Sequence, residues 1–192
     1  MSASASRSGG TPTGRVLVAG IGNIFLGDDG FGVEVARRLA GAELPERVDV
    51  VDYGIRGVHL AYELLDGRYD TLVLVDAVPF DGEPGALTVL EARSPGGQEL
   101  TFADAVEAPA VDAHSMNPEA VLRVLHGLGG GLGRVLVVGC RPAVIAERIG
   151  LSEEVNGSLD AAVRLVLEVA GEEAARLAET SWAPATTGRR RA

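Results

Sequence analysis

Three short runs constrain this chain most: residues 15–20 (RVLVAG), 71–76 (TLVLVD) and 134–139 (RVLVVG). Each is apolar at nearly every position rather than at alternate positions. A strand with one wet face alternates apolar and polar residues, whereas a strand buried on both faces does not. These runs therefore predict inner strands of a sheet covered by helices on both sides. The aromatic content, 4%, is low, so Val, Leu, Ile and Ala must fill the core. That mix suits such a sheet.

Segments of helical period fall between the runs. Residues 31–44 carry Val33, Val35, Ala36, Leu39 and Ala40 at helical spacing, and Pro45 marks the end. A second strand is predicted over 48–52, a short helix over 58–65 and a fourth strand over 86–90. Another helix is predicted over 117–128, with Asn117 as cap and Pro118 in the first turn. The segment 152–179 reads as helix, with an interruption expected near Gly157 or Gly171.

This order predicts an α/β fold, a three-layer α/β/α sandwich on a mostly parallel five-stranded sheet. One connection departs from the pattern. The link PFDGEPG, residues 79–85, is too short for a crossover helix, because parallel neighbours need about a dozen residues or more between them. The fourth strand should therefore run antiparallel, giving the order 2-1-3-5-4. The chain must then return from the lower edge of the sheet through residues 92–116, which bring His114 to the upper edge. The expected layout is a tail over 1–13, one domain over 14–180 and a second tail over 181–192. Both tails are too polar to offset their ordering entropy.

The formal net charge of −10 argues against nucleic acid as a partner. Cys140 is the one cysteine, so neither an intrachain disulfide nor a cysteine zinc cage can form. It reads as a small buried apolar residue. No apolar stretch reaches the ~18 residues a bilayer span needs, and no secretory leader is evident. A cytoplasmic monomer without membrane contact is the expectation.

The glycine-rich turn after the first strand runs Gly20, Gly22, Asn23, Gly27, Asp28, Asp29, Gly30, Gly32. It suggests a dinucleotide fold, with Asp52 in the place of the ribose-binding acid. The spacing disagrees, since Phe25 stands where the third glycine belongs. Asp28 and Asp29 also put negative charge where a pyrophosphate would sit. One of the two acids is expected to cap the following helix, leaving the other free to act. Asp76 ends the third strand, beyond whose carboxyl end ligands of such sheets bind. His59 and His126 lie in helical patterns and are weaker candidates than His114. Asp29, Asp76 and His114 should share the upper edge, and two carboxylates with an imidazole suit a divalent transition metal.

At these residues the sequence resembles the hydrogenase maturation proteases. The resemblance rests on VLVAGIGNIFLGDDGFGVEVARRL, VVDYGIRGVHLAYELL, TLVLVDAV, the loop ending HSMN, and VVGCRPAVIAERIGLSEEV, and it spans roughly residues 15–165. It implies an endopeptidase that removes the C-terminal extension of a nickel–iron hydrogenase large-subunit precursor once nickel is in place. Asp29, Asp76 and His114 would bind that nickel, which the substrate supplies, so no tightly held cofactor is expected. Asp52 is a further candidate for a direct catalytic role. The chain departs from the family pattern at Tyr53, where Gly is common, and carries Asp at position 29, where Glu is frequent. Either the nickel or an adjacent aspartate would position the attacking water. The competing expectations are a nucleotide-binding or oxidoreductase domain, and a nickel-sensing chaperone that binds the precursor without shortening it.

Overall fold

The computed structural model describes residues 14–92 and 118–181. Its strands are β1 (Val16–Ile21), β2 (Val48–Gly54), β3 (Thr71–Ala77), β4 (Leu87–Ala92) and β5 (Arg134–Cys140). They form one five-stranded sheet in the order β2-β1-β3-β5-β4. All neighbours are parallel except β4 and β5, which are antiparallel as the short 79–85 link requires. The helices are α1 (Phe31–Leu39), α2 (Gly57–Leu65), α3 (Pro118–Gly127) and α4 (Glu153–Ser181), and a 3-10 turn at Asp28–Gly30 leads into α1. No described helix is long and apolar enough to cross a membrane.

The continuous apolar runs are accounted for by two cores. Val16 and Val18 of β1 and Val73 and Val75 of β3 pack with α1 and α4. Leu17, Ala19, Leu72 and Leu74 face the other way, with α2 and α3. Successive side chains thus enter opposite layers, and none of these eight reaches solvent. A fully buried Leu or Val stabilises by about 1.5–3 kcal/mol. A polar residue at any of these positions would forfeit that on whichever face it fell.

Two helices differ from expectation. Helix α1 ends at Leu39 rather than running to Pro45, and a turn carries Gly41 and Ala42 back to Arg38 and Leu39 carbonyls. Helix α4 is unbroken for 29 residues, through both Gly157 and Gly171. Its buried stripe, Val155, Leu159, Ala162, Val166, Val169, Ala170, Ala174 and Leu177, explains why. Tertiary packing outweighs the roughly 1 kcal/mol that each glycine costs in a helix. The proposed Asn117 cap and the return segment 92–116 fall outside the described residues from 93 onward, as do the tails at 1–13 and 182–192.

At the lower edge, α4 is clamped to the strand starts. Glu173, 5% exposed, accepts from Arg134 Nη1 at 2.6 Å and Arg176 Nη2 at 2.8 Å, with Thr71 Oγ1 at 3.4 Å. Glu173→Ala should cost about 1–3 kcal/mol in urea unfolding. It should leave the turnover of the folded protein intact, because the candidate site lies at the opposite edge. A proportionate loss of turnover in the folded variant would contradict that separation.

Candidate functional site at the carboxyl edge of the sheet

Beyond β1 the chain turns at Gly22, whose φ of 128° is one that side-chain-bearing residues rarely adopt. A Cβ there would lie 1.8 Å from the Asp29 carbonyl oxygen, so the glycine lets the loop close on itself. Asn23 then fixes the interior of the loop. Its side-chain oxygen accepts from Phe25 N at 3.0 Å, and its N–H donates to Asp29 Oδ2 at 2.7 Å. The start of α1 presses hard on the strand ends. A Cβ on Gly32 would lie 2.0 Å from the Val75 carbonyl oxygen and 2.4 Å from that of Ile21. These contacts set Asp29 over the carboxyl ends of β1 and β3, the neighbouring strands of the switch point.

Asp76, 5% exposed, stands at the end of β3, and its Oδ1 accepts from Ala77 N at 2.8 Å. Burial pushes its carboxyl well above the usual range, and the charge of Asp29 pushes it further. Burial also raises Asp29, against the opposing N–H of Asn23. Two acids therefore sit within each other's field in a poorly hydrated place. Such a pair holds a proton or welcomes a cation.

Asp28 behaves differently. Neither it nor Asp29 makes a side-chain cap to the 3-10 turn or to α1, contrary to the capping expectation. The Asp28 carboxylate is fully buried and accepts from Ala143 N (2.8 Å), Val144 N (2.9 Å), Ser152 N (2.6 Å) and Ser152 Oγ (3.0 Å). Burial acts to raise its pKa, but these donors prevail and hold it below the ordinary value. Sequence reading missed this role. Ser152 signals a helix start by its type alone, yet nothing local ties it to an acid 124 positions away.

Asp52 lies two residues before the end of β2, opposite Gly20, and its Oδ2 lies 3.6 Å from Arg37 Nε. It is on the same edge, paired to a cation of α1. Tyr53, the departure from the family pattern, is buried among the α2 side chains and donates to the Glu63 carboxylate. It thus stands in the layer beneath the site. His59 and His126 are exposed. His114 lies outside the described residues. Among the described residues no group of three or more His, Cys, Asp or Glu forms a metal cluster, so Asp29 and Asp76 stand as a pair there. Cys140 is fully buried and its thiol is pushed up by burial, which disfavours the thiolate that a nucleophile needs. A pyrophosphate would have to share this edge with Asp29 and Asp76, which weakens the dinucleotide reading.

Comparison with known proteins points one way. The model of one protein family, described as hydrogenase maturation protease, matches residues 33–169. A Methanocaldococcus jannaschii protein whose name places it with the hydrogenase maturation proteases is 33% identical, over 79% of this chain and 94% of its own. Among solved structures, a hydrogenase 2 maturation peptidase from Thaumarchaeota archaeon SCGC_AB-539-E09 is 34% identical with a TM-score of 0.60, covering 82% of this chain and 98% of that one. The hydrogenase-maturating endopeptidase HybD of Escherichia coli is 27% identical with a TM-score of 0.64, over 82% and 93% of the two chains.

Proposed function

Since the chain belongs to the hydrogenase maturation protease family, we propose that it is the endopeptidase that removes the C-terminal extension of a nickel–iron hydrogenase large-subunit precursor, acting as a monomer in the cytoplasm. In this reading nickel is part of the substrate, not a resident cofactor. The observation that carries it is the Asp29–Asp76 pair at the ends of β1 and β3, where the charge of one acid raises the pKa of the other. A divalent cation brought by the client relieves that repulsion and releases the proton. The pair alone is a modest site, so affinity follows the cation. Precursor without nickel lacks the differential attraction and docks poorly. His114 completes the donor set, and Asp52 stands by on the adjoining strand end.

The substrate class also fits the surroundings. Phe25 is 61% exposed, Ile145 52% and Ile149 80%. Their segments are joined to each other, with Arg148 N donating to the Phe25 carbonyl at 3.0 Å. Exposed apolar side chains on two joined segments suit a protein client better than a small molecule. Cys140 is buried with its thiol pushed up, so water is the nucleophile in this reading. Asp29, ionised more readily than the deeper Asp76, is the candidate to orient it.

The alternative, a nickel-sensing chaperone, would make the same contacts without cutting. Mass spectrometry separates the two. Nickel-loaded precursor incubated with the protein should lose the mass of its C-terminal extension, and nickel-free precursor should not. Substituting Asp29 or His114 by Ala should slow that loss by at least about 10²-fold. A precursor that is bound but never shortened would leave only the chaperone. Full processing by both variants would remove the site assignment.

A further inference from the structure

We propose that Asp28 is a positioning residue, whose buried carboxylate locks the segment 143–152 onto the glycine-rich loop and thereby fixes where its neighbour Asp29 stands. The inference rests on the reading of Asp29 as a nickel-facing group. Asp28 is one of five buried polar or charged side chains among the described residues, and it is wholly enclosed. All four of its side-chain bonds go to one segment: Oδ2 accepts from Ala143 N, Val144 N and Ser152 Oγ, and Oδ1 accepts from Ser152 N. The backbone doubles the link. Asp28 N donates to the Val144 carbonyl at 3.1 Å and Gly27 N to that of Arg148 at 2.9 Å. Bridges pair Leu26 with Arg148 and Gly27 with Ile145.

Asp29 has far less holding it. Among the described hydrogen bonds its carboxylate has one, from Asn23 N. Its backbone packs against Gly22 on one side and on the other follows Asp28, which is pinned on both its N–H and its side chain. A carboxylate is required for this. It accepts at both oxygens, whereas an amide turns one of them into a donor. Every orientation of Asn at this position sets an NH2 group against at least one backbone N–H of Ala143, Val144 or Ser152. Ser152 contributes a second time, since its Oγ also accepts from Val155 N at 3.3 Å and so starts α4 from the same point.

A residue that served stability alone would, once the protein is folded, leave the site as it was. One that shaped only the apolar rim would weaken docking of every form of the client. Positioning of Asp29 weakens only the nickel-dependent part. The test compares wild type with Asp28→Asn, Ser152→Ala and Asp29→Ala, below the unfolding temperature of each as followed by circular dichroism. Calorimetry measures the affinity of each for nickel-loaded and for nickel-free large-subunit precursor. Asp28→Asn should lower affinity for the loaded form roughly tenfold or more and leave that for the nickel-free form unchanged. Ser152→Ala, which keeps three of the four bonds, should show the same selectivity loss at smaller size. Equal losses for both forms, or no loss in folded Asp28→Asn, would overturn the proposal. If Asp28→Asn does not fold, an unchanged preference in Ser152→Ala overturns it instead. The Asp29→Ala arm stands apart: a wild-type preference there removes the nickel-facing reading itself, and this proposal with it.

Discussion

Replacing Asp76 by Asn is expected to stop processing and, in the enzyme alone, to raise stability at neutral pH. The two effects share one cause. The folded protein raises the Asp76 carboxyl above its ordinary value of 3.8, first by burial and then by the charge of Asp29. The folded state therefore binds this proton more tightly than the unfolded chain does. Below the unfolded value both states are protonated and the group costs nothing. As pH rises from there to the folded value, stability falls, and above it the full cost of a buried charge is present. Asn has the same shape and no charge, so it escapes that cost. Urea midpoints of wild type and Asp76→Asn should nearly agree at pH 4 and diverge by pH 8, by about 1 kcal/mol or more. Processing of nickel-loaded precursor should fall by at least about 10²-fold over the same range. A variant that is less stable than wild type at pH 8 would contradict the electrostatic account. One that processes normally would contradict the site.

Gly32→Ala should be nearly as damaging, although Ala is the better helix former by roughly 1 kcal/mol. The new Cβ meets two main-chain oxygens, of Val75 at 2.0 Å and of Ile21 at 2.4 Å. Neither belongs to a flexible side chain, so the helix must lift. Overpacking of this kind costs about 1–3 kcal/mol. The larger effect is on the site. Lifting the start of α1 carries Asp29 away from Asp76, and a misplacement of ~1 Å can cost on the order of 10²-fold in rate. Thermal unfolding with single-turnover processing would measure both. Unchanged kinetics in the folded variant would show that the close approach does not set the site.

Much of this architecture was legible because its causes are local. RVLVAG and TLVLVD are apolar at consecutive positions since their strands face two cores, and that is visible in the letters. The antiparallel β4 followed from the length of PFDGEPG alone. Strand order alone puts Asp29 and Asp76 on one edge. Asp28 was not legible. Its type and position fit a helix cap, and only the folded chain brings residues 143, 144 and 152 to its carboxylate. The continuity of α4 is hidden for a related reason, since Gly157 and Gly171 argue locally for a break that the packing of Leu159, Ala162, Val166 and Ala170 overrides. Tyr53 looked like a departure at the site, yet its ring points into the α2 layer.

Helix α4 also joins two anchors described separately above. Ser152 ties its first turn to Asp28 at one rim of the sheet, and Glu173 ties its sixth to the first residues of β3 and β5 at the other. At 1.5 Å per residue the span between them is ~30 Å. Between these two anchors the rod cannot unwind without tearing a buried carboxylate from its donors. Amide protons along its inward stripe should therefore exchange with solvent only when the entire protein opens. The floor beneath Asp29 and Asp76 would then hold its shape while a client comes and goes.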